Sequence, residues 1–318
     1  MNKNEIIVSI CCITYNHEPY IRQCLEGFMT QKTSFLFEVL IHDDASTDGT
    51  ADIIHEYESK YPDIIKPIYQ KENQYSKGVR ISWVFNFPRA KGKYIALCEG
   101  DDYWIDPLKL QKQVDFLENN PEYGMVYSLA KIFVEKKQCF RKKLFGTPPK
   151  ETFRELLYGN VIPTLSVVCK KQYIDSYIDE IFPYAEKWKM GDYPLWLYIS
   201  KHSKIRCLDE ITGVYRHLFL SMSHFNSFEK EREFWNSYYE IKYFFIEKYK
   251  ENIDLVVIKS SYYTRLLRIY LIYNYPIIEY KELILKVEDN CKRIHLLKII
   301  SKCSILLRLS KLYWTIKS

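Results

Sequence analysis

Three carboxylates stand directly behind a short apolar run in this sequence. Ile95–Cys98 is apolar, and Glu99, Asp101 and Asp102 follow it at once. A short apolar run bounded by a turn is typical of a buried strand, and open α/β sheets bind ligands just beyond their strand ends. Carboxylates this close repel one another unless a cation neutralises them, and Mg²⁺ or Mn²⁺ prefers such oxygen ligands together with substrate phosphates. The segment predicts a metal–diphosphate site, with a solvated acidic turn as the alternative.

Three further apolar runs precede this segment and alternate with helical patterns. Polar residues 14–16 follow the first run, and Asp43 and Asp44 follow the second. Parallel strands joined by right-handed crossovers end at the same sheet edge, so these loops should converge on the acidic segment. The alternation predicts an α/β fold whose central sheet is mostly parallel and flanked by helices. The predicted strands are 6–13, 37–41, 64–69 and 94–98, and the predicted helices are 19–30, 50–60 and 78–90.

The remaining sequence predicts a less regular continuation of this fold. From about residue 225, long Tyr-rich and Lys-rich helical stretches replace the strand pattern. We therefore predict two domains, 1–225 and a helical C-terminal extension, 226–318. Within the first domain, the further predictions are helices over 107–119, 152–158 and from 195 onward, a strand pair within 125–134, strands 165–169, 205–208 and 211–215, and a basic loop over 136–150.

Composition and glycine placement exclude several classes of protein. The net charge of +6 over 318 residues is too diffuse to predict nucleic-acid binding. The nine cysteines form no C-x-x-C pair or zinc spacing, which indicates free thiols in a reducing compartment. Residues 12–17, after the first strand, contain no glycine, so neither a dinucleotide fingerprint nor a P-loop is present. A bound phosphate must then be held by a metal instead of a glycine-rich loop.

Five segments, in this order and spacing, resemble the family 2 glycosyltransferases, which have the GT-A fold. The resemblance covers roughly residues 5–225, and its most specific element is the Asp-Asp-x-Ser-x-Asp-x-Thr string of residues 43–50. It implies an inverting transfer of a sugar from a nucleoside-diphosphate donor, usually a UDP-sugar, with Mn²⁺ or Mg²⁺. The segments are SICCITYN (9–16), VLIHDDASTDGT (39–50), GKYIALCEGDD (92–102), GDYPLWL (191–197) and YRH (215–217).

The resemblance assigns the first two segments to the nucleotide. Thr14 and Asn16 would border the nucleotide pocket, and Asp44 would accept hydrogen bonds from the base. Asp48, together with Thr50, would shape the same loop.

The third segment carries the metal site that the resemblance implies. Glu99, Gly100 and Asp101 occupy the position of the family's D-x-D motif, so Asp101 is the implied metal ligand. Asp102 would contact the donor or support the loop. The family usually has Asp where this chain has Glu99, whose longer side chain would reach the metal directly or through water.

The last two segments supply the implied catalytic base and diphosphate contacts. Asp192 matches the family's general base, which deprotonates the acceptor hydroxyl. Gly191 stands where the family often has Glu, and a helix N-cap is the alternative role for Asp192. Arg216 and His217 fall where the family often has a Tyr-Arg-x-His stretch near the diphosphate. The alternative is that both are ordinary residues at a strand end.

The C-terminal segment 291–318 has no acidic residue and seven Lys or Arg, with apolar residues at near-helical spacing. It is either a basic amphipathic helix on an anionic membrane surface or a terminal helix packed on its own domain. The N-terminus has no signal-peptide cleavage site, and no stretch is apolar enough to span a membrane. We expect a cytoplasmic protein, peripheral on the inner face of the cytoplasmic membrane if the first alternative holds. A glycan or lipid-linked acceptor would fit that location.

Two other functions stay open at this point. A sugar nucleotidyltransferase shares the fold logic, although the glycine- and basic-rich loop after its first strand is missing here. The other is a non-catalytic module that binds nucleotide-sugars or glycans. Asp192 argues against it, because such a module needs no carboxylate at this position. Tyr103 and Trp104 would stack on an acceptor sugar in an enzyme or simply pack in the core.

Overall fold

The computed structural model describes residues 5–218 and 227–273. The chain forms two compact units, the first comprising Met1–Ala185 and Gly191–Phe219 and the second Glu186–Met190 and Leu220–Ser318. The predicted boundary near residue 225 and the basic segment 291–318 lie outside the described residues, so both stay predictions. In the two described ranges, no helix is both long and apolar enough to cross a lipid bilayer.

The first unit is built on a nine-stranded mixed sheet with helices packed against it. Its strands are β1 (Ile6–Thr14), β2 (Leu36–Asp43), β3 (Ile65–Tyr69), β4 (Tyr94–Leu97), β5 (Tyr103–Trp104), β6 (Tyr123–Val134), β7 (Cys139–Phe140), β8 (Val168–Lys170) and β9 (Lys204–His217). The helices of the described residues are α1 (Glu18–Met29), α2 (Thr50–Lys60), α3 (Lys109–Asn119), α4 (Phe153–Tyr158), α5 (Lys171–Glu180), α6 (Asp192–His202), α7 (Phe228–Tyr249) and α8 (Leu255–Ile272).

The N-terminal half of the sheet is parallel, in the order β3–β2–β1–β4. Thr14 pairs with Asp43 at the ends of β1 and β2, and Cys11 pairs with Leu97 on β4. The carboxyl ends of these strands therefore share one edge of the sheet, as the strand–helix alternation predicts. Near-complete burial of β1 and β4 explains their continuous apolar sequence.

The C-terminal half departs from a parallel sheet. β8 runs antiparallel to both β4 and β6, while β9 runs parallel to β6. β5, which directly follows the acidic segment, pairs antiparallel with β9, so that Tyr103 is opposite Val214 and Trp104 is opposite Gly213. This pairing brings the acidic segment beside the end of β9, which no local pattern in the sequence indicates.

Several local predictions differ from the structure. The strand pair predicted within 125–134 is the single strand β6. The strands predicted over 205–208 and 211–215 are likewise one strand, β9. Both strands are continuous because β6 and β9 pair along almost their whole length, with bulges near Ser128 and Leu129. The helix predicted over 78–90 is a π-helix, Ser82–Asn86, followed by a 3₁₀ turn, Phe87–Arg89. The strand predicted over 165–169 begins with a 3₁₀ turn, and β7 forms inside the predicted loop 136–150. Helix α5 was not predicted; only Ile174 and Tyr177 mark its buried face.

Trp104 belongs to the core. It is 3% exposed, its Nε1 donates a hydrogen bond to the Leu165 carbonyl at 2.7 Å, and its ring meets the Phe28 ring edge-on at 4.8 Å. The alternative of stacking on an acceptor sugar is therefore not available to Trp104, because its ring faces are buried.

Lys109 is a fully buried cation beneath this core. Its Nζ donates to Gln113 Oε1 at 2.7 Å and lies 4.1 Å from the centre of the Trp104 ring. Burial lowers the pKa of Lys109 to about 7, whereas a lysine in an unfolded chain has a pKa of about 10.4. From pH 7 upward to about 10, the unfolded chain therefore binds a proton that the folded chain lacks, and the folded state gains stability as the pH rises.

We expect this gain to disappear in Lys109→Met. The free energy of unfolding of the wild type should rise relative to that of the variant by up to about 1.4 kcal/mol per pH unit between pH 7.5 and 9.5. Urea unfolding at several pH values measures this difference. Lys71→Met, at an exposed position, is the control and should follow the wild type. Parallel pH profiles of the wild type and Lys109→Met would contradict the prediction.

The second unit is organised by α7 and α8. The Tyr239 and Tyr262 rings stack at 4.6 Å, and the Tyr262 hydroxyl donates to Asn236 Oδ1 at 2.8 Å. Segment Glu186–Met190 joins this unit through the Lys189 amide, which donates to Ser237 Oγ at 2.7 Å. Aromatic residues on α7, together with a tryptophan of that segment, line a shallow pocket of about 650 Å³: Trp188, Tyr239, Tyr243 and Phe244.

Candidate functional site

The acidic segment forms a tight turn at the end of β4. The Gly100 amide donates to the Ile13 carbonyl at 2.9 Å, and the Asp102 amide donates to the Glu99 carbonyl at 3.0 Å. One carboxylate oxygen from each of Glu99, Asp101 and Asp102 lies within 4.8 Å of the others. Asp101 and Asp102 are 8% and 3% exposed, whereas Glu99 faces solvent. The turn thus gathers the three predicted carboxylates into one cluster.

The cluster carries more negative charge than its surroundings compensate. Although the Glu99 side chain has solvent-accessible surface, protein atoms crowd its carboxylate; this loss of hydration, followed by the charges of Asp101 and Asp192, raises the pKa of Glu99 to about 8. Loss of hydration, Asp101 and Glu99 also raise the pKa of Asp102, and Arg216 opposes that rise only in part. A cation bound to these oxygens would relieve the repulsion.

The residues present fit a divalent cation. Oδ1 of Asp101 is buried and has no hydrogen-bond partner among the described residues, although a buried carboxylate oxygen normally has one. Three carboxylates that supply only oxygen ligands suit Mg²⁺ or Mn²⁺ and do not suit soft metals. Asp101, with Asp102 and Glu99 beside it, is therefore able to hold such an ion.

Arg216 lies directly against this cluster. Its backbone amide donates to Asp102 Oδ1 at 2.7 Å, and its Nη1 donates to the Asp101 carbonyl at 2.7 Å. The pairing of β5 with β9 produces these contacts. His217, the last residue of β9, is half-buried and pairs in register with Val134.

Asp44 is tied to a turn that follows β3. Its Oδ1 accepts from the Gln74 amide at 2.8 Å and its Oδ2 from the Tyr75 amide at 3.0 Å. The carboxylate, 4% exposed, therefore organises the 73–77 turn, while its contact with a base stays a prediction. His42 Nε2 lies 3.6 Å from Asp44 Oδ1, and burial lowers the pKa of His42, which favours the neutral ring.

Asn16 and Asp48 interlock the loops after β1 and β2. Asn16 has a φ of 53°, in the left-handed region that Asn tolerates better than most residues, and its Oδ1 accepts from the Thr47 amide at 2.8 Å. Asp48 accepts from the Thr50 amide at 3.0 Å and from the Glu18 amide at 3.1 Å. These bonds hold the amino ends of α1 and α2 together, and the role of Asp48 in shaping a nucleotide loop stays a prediction.

Gly100 is where the loop after β1 meets the acidic turn. A Cβ at this position would lie 2.7 Å from Thr14 Oγ1 and 3.0 Å from His17 Nδ1. Both of those atoms are buried and, like Asp101 Oδ1, have no hydrogen-bond partner among residues 5–218 and 227–273. Burial lowers the pKa of His17, and Asp101 and then Asp48 oppose that shift, so carboxylates of both loops lie close to this ring.

We expect Gly100→Ala to displace the acidic turn from the loop after β1. The added methyl group has no room at 2.7 Å, because its neighbours are the branched side chain of Thr14 and the His17 ring. Divalent-metal affinity measured by titration calorimetry should fall by at least about tenfold, as for other losses of support around a metal site. Gly191→Ala is the control, since its nearest neighbour is Trp83 Nε1 at 3.4 Å. Equal metal affinity of Gly100→Ala and the wild type would contradict the expectation.

Asp192 is the first residue of α6 and belongs to the same region of the first unit. Its Oδ2 accepts from Thr164 Oγ1 at 2.7 Å, and its Oδ1 accepts from the Tyr193 amide at 2.7 Å. The N-cap of α6 is Gly191 and no side chain caps the helix, so the N-cap alternative for Asp192 is wrong, and the charge of its carboxylate reaches Glu99. Each oxygen keeps a further lone pair, so these hydrogen bonds leave the carboxylate able to accept a proton.

Several residues that build the site were not predicted. Thr164 orients Asp192, Gln23 accepts from Arg216 Nη2, and the His17 ring lies beside the acidic turn. Thr164 and Gln23 carry no local pattern that could reveal them, because both act across more than 25 residues of sequence. His17 directly follows the Thr14–Asn16 strand end, which was the available clue.

Comparison with known proteins agrees with this geometry. The sequence profile described as glycosyl transferase family 2 matches residues 9–182, which is more than half of the chain. The chain belongs to this family of glycosyltransferases, which confirms the resemblance and the GT-A fold.

The curated relatives extend the match beyond the profile. An uncharacterised protein of Mycobacterium tuberculosis is 37% identical over 238 residues, which is 72% of this chain and 64% of the relative. The chain thus spans somewhat less than two thirds of that relative's length. The UDP-Glc:alpha-D-GlcNAc-diphosphoundecaprenol beta-1,3-glucosyltransferase WfaP of Escherichia coli is 32% identical over 213 residues, covering 66% of this chain and 77% of WfaP.

Solved structures support the fold. TarS of Staphylococcus aureus, residues 1–349 in complex with UDP, superposes with a TM-score of 0.58 at 17% identity and covers 98% of this chain and 89% of that one. A mannosyltransferase from Pyrobaculum calidifontis, in complex with GDP-Man and Mn²⁺, has a TM-score of 0.55 at 13% identity, covering 97% and 88%. At these identities the likeness concerns the fold.

Proposed function

We propose that the protein is an inverting, metal-dependent glycosyltransferase that moves a sugar from a nucleoside-diphosphate donor to a hydroxyl of a cell-surface glycan or lipid-linked acceptor. The observation that carries the proposal is the cluster of Glu99, Asp101 and Asp102, in which Asp101 Oδ1 has no hydrogen-bond partner among the described residues. The cluster lies at the sheet edge where the loops after β1 and β2 begin. A UDP-sugar is the first donor to test, because WfaP is named for a UDP-linked donor and TarS was solved with UDP.

The donor would lie along the edge formed by β1, β2 and β4. Thr14, Asn16 and Asp48 border the nucleotide end, and Asp44 supports the 73–77 turn beside it while keeping lone pairs for the base. Asp101, with Asp102 and Glu99, would hold the metal, which when bound neutralises charge on the diphosphate. His217 is the residue at the end of β9 that we assign to the diphosphate.

Asp192 would act as the general base. One of its oxygens takes the proton of the acceptor hydroxyl while that hydroxyl oxygen attacks the anomeric carbon and the bond to the diphosphate oxygen breaks. Attack from the side opposite the leaving group inverts the anomeric configuration. The Thr164 hydroxyl, which donates to Oδ2 at 2.7 Å, fixes the carboxylate for this transfer.

A donor and acceptor screen tests the proposal. The protein is incubated with UDP-, dTDP- and GDP-linked sugars, a polyprenyl-diphosphate-linked sugar acceptor and Mn²⁺, and then with EDTA. We expect transfer from one donor class, with inversion at the anomeric carbon and loss of activity in EDTA. Pyrophosphate release from UTP and a sugar phosphate would replace the proposal with a nucleotidyltransferase, and UDP binding without turnover of any donor would replace it with a binding module.

We also propose that the protein works at the inner face of the cytoplasmic membrane, where a lipid-linked acceptor is available. The basic, acid-free segment 291–318 supports this location. Truncation after Asn290 should lower partition into vesicles that contain anionic phosphatidylglycerol, and should leave the weak partition into neutral vesicles unchanged. Equal partition of both proteins into anionic vesicles would remove the membrane role of the segment.

A further inference from the structure

We propose that Arg216 and Gln23 form a positioning pair that holds the metal-binding turn, and that Arg216 does not itself bind the donor diphosphate. The inference rests on the proposed metal site and assigns a task to a residue that the resemblance places near the diphosphate. Gln23 has no role in that resemblance.

Arg216 donates two hydrogen bonds to the acidic turn. Its backbone amide donates to Asp102 Oδ1 and its Nη1 donates to the Asp101 carbonyl, both at 2.7 Å. The first bond orients the Asp102 side chain, and the second fixes the peptide that follows Asp101. The positions of Asp101 and Asp102 therefore depend on Arg216, which lies near the end of β9.

The guanidinium makes further contacts with protein groups. Nη2 donates to Gln23 Oε1 on α1, and Nε lies 4.0 Å from Glu135 Oε2. The Tyr20 and Tyr103 rings lie 5.0 Å and 4.5 Å from the guanidinium carbon, in the geometry of cation–π contacts. Arg216 is 6% exposed, so little of its surface is open to a diphosphate.

This arrangement is that of a support behind a metal ligand. The planar fork of arginine donates in two fixed directions, here to the acidic turn and to α1, and lysine cannot reproduce both bonds. Groups that orient metal ligands commonly contribute 10–100-fold to metal affinity. Gln23 is itself exposed, so its replacement tests the support without removing a buried side chain.

Arg216→Lys and Gln23→Ala test the inference, with Arg22→Ala as the matched control. Arg22 is exposed on the same helix and pairs with Glu56 at 2.7 Å, away from the acidic turn. Titration with Mn²⁺ alone, followed by electron paramagnetic resonance of the free ion, should show about 10–100-fold weaker binding in Arg216→Lys. Gln23→Ala should lose about 3–10-fold, the contribution of one hydrogen bond, and Arg22→Ala should match the wild type.

Hydrogen exchange provides a second readout that needs no metal. The Asp102 amide, which donates to the Glu99 carbonyl at 3.0 Å, should exchange faster in Arg216→Lys and Gln23→Ala, while the β1 amides stay unchanged. Unchanged Mn²⁺ affinity and exchange in both variants, with weaker metal-free UDP binding in Arg216→Lys, would overturn the inference and make Arg216 a diphosphate ligand. If the wild type binds no Mn²⁺, the proposed metal site fails, and the exchange of Asp102 alone decides for or against the positioning pair.

Discussion

Asp101→Asn should abolish metal-dependent donor binding while leaving the protein folded. The substitution keeps the shape of the side chain and removes the charge of the carboxylate whose buried Oδ1 has no partner among the described residues. We expect Mn²⁺ affinity to fall by at least about 100-fold and sugar transfer by about 10²–10³-fold, the usual loss when a group that stabilises a developing charge is removed. Calorimetric titration of Mn²⁺ and then of UDP measures the first effect, and initial rates measure the second.

The same substitution should stabilise the protein without metal. Glu99 and Asp102 both have raised pKa values that are due in part to Asp101. Removing that charge lowers the repulsion, so the Tm of metal-free Asp101→Asn should exceed that of the wild type by about 2–4 °C for each kcal/mol relieved. Added Mn²⁺ should raise the Tm of the wild type and leave that of the variant unchanged.

Asp115→Asn is the control for both measurements, because Asp115 is exposed on α3 and accepts from Gln111 at 2.8 Å. It should match the wild type in metal binding, activity and Tm. Asp101→Asn with normal Mn²⁺ affinity would contradict the assignment of Asp101 and leave Glu99 or Asp102 as the ligand. A lower Tm without metal would contradict the account of repulsion in the cluster.

Asp192→Asn should remove turnover and spare donor binding. Asparagine keeps an oxygen for the Tyr193 amide, and its NH₂ group can donate to the Thr164 hydroxyl oxygen, so the start of α6 is preserved, but it cannot accept a proton from the acceptor. General-base catalysis contributes about 10²–10⁴-fold, so kcat should fall within that range while the Kd for the donor stays within about twofold. Initial rates over a range of acceptor concentrations, with UDP titrations beside them, separate the two quantities.

Thr164→Val separates orientation from proton transfer. The isosteric change removes the donor to Asp192 Oδ2 and leaves the carboxylate in place. We expect a loss of about 3–10-fold in kcat, much smaller than that of Asp192→Asn. If Asp192→Asn loses no more activity than Thr164→Val, the carboxylate acts only through its hydrogen bonds at the start of α6 and another group is the base. If donor affinity falls with kcat, Asp192 contacts the donor instead.

The sequence alone was sufficient to predict the parts of the site that are formed by residues close together in the chain. The near-continuous apolar runs of β1 and β4 and the turn residues behind them need no distant partner to be recognised, and the parallel direction of these strands follows from the crossovers between them. The acidic cluster lies within four residues of chain, so its charge and its preference for a hard cation were readable before any fold was known.

The sequence did not reveal the contacts that join segments far apart in the chain. Helix 78–90 was predicted as regular, yet Asn86 Nδ2 bonds the Cys12 carbonyl at 3.1 Å and Arg89 bonds the Ile41 carbonyl at 3.0 Å, and the segment is π-helical and then 3₁₀. Such bonds to the sheet override local helix preference. The single strands β6 and β9 likewise depend on pairing with each other, which local hydrophobic patterns do not encode.

The role of Arg216 shows the same division. The resemblance placed it near the diphosphate, and its type and place at a strand end left an ordinary strand-end residue as the alternative. Only the antiparallel pairing of β5 with β9 puts its amide on Asp102 and its guanidinium on the Asp101 carbonyl. Residue types and short-range spacing thus determined which chemistry the chain carries, whereas tertiary pairing decided which group each side chain meets, since a side chain's partners depend on strand order and register across the whole sheet.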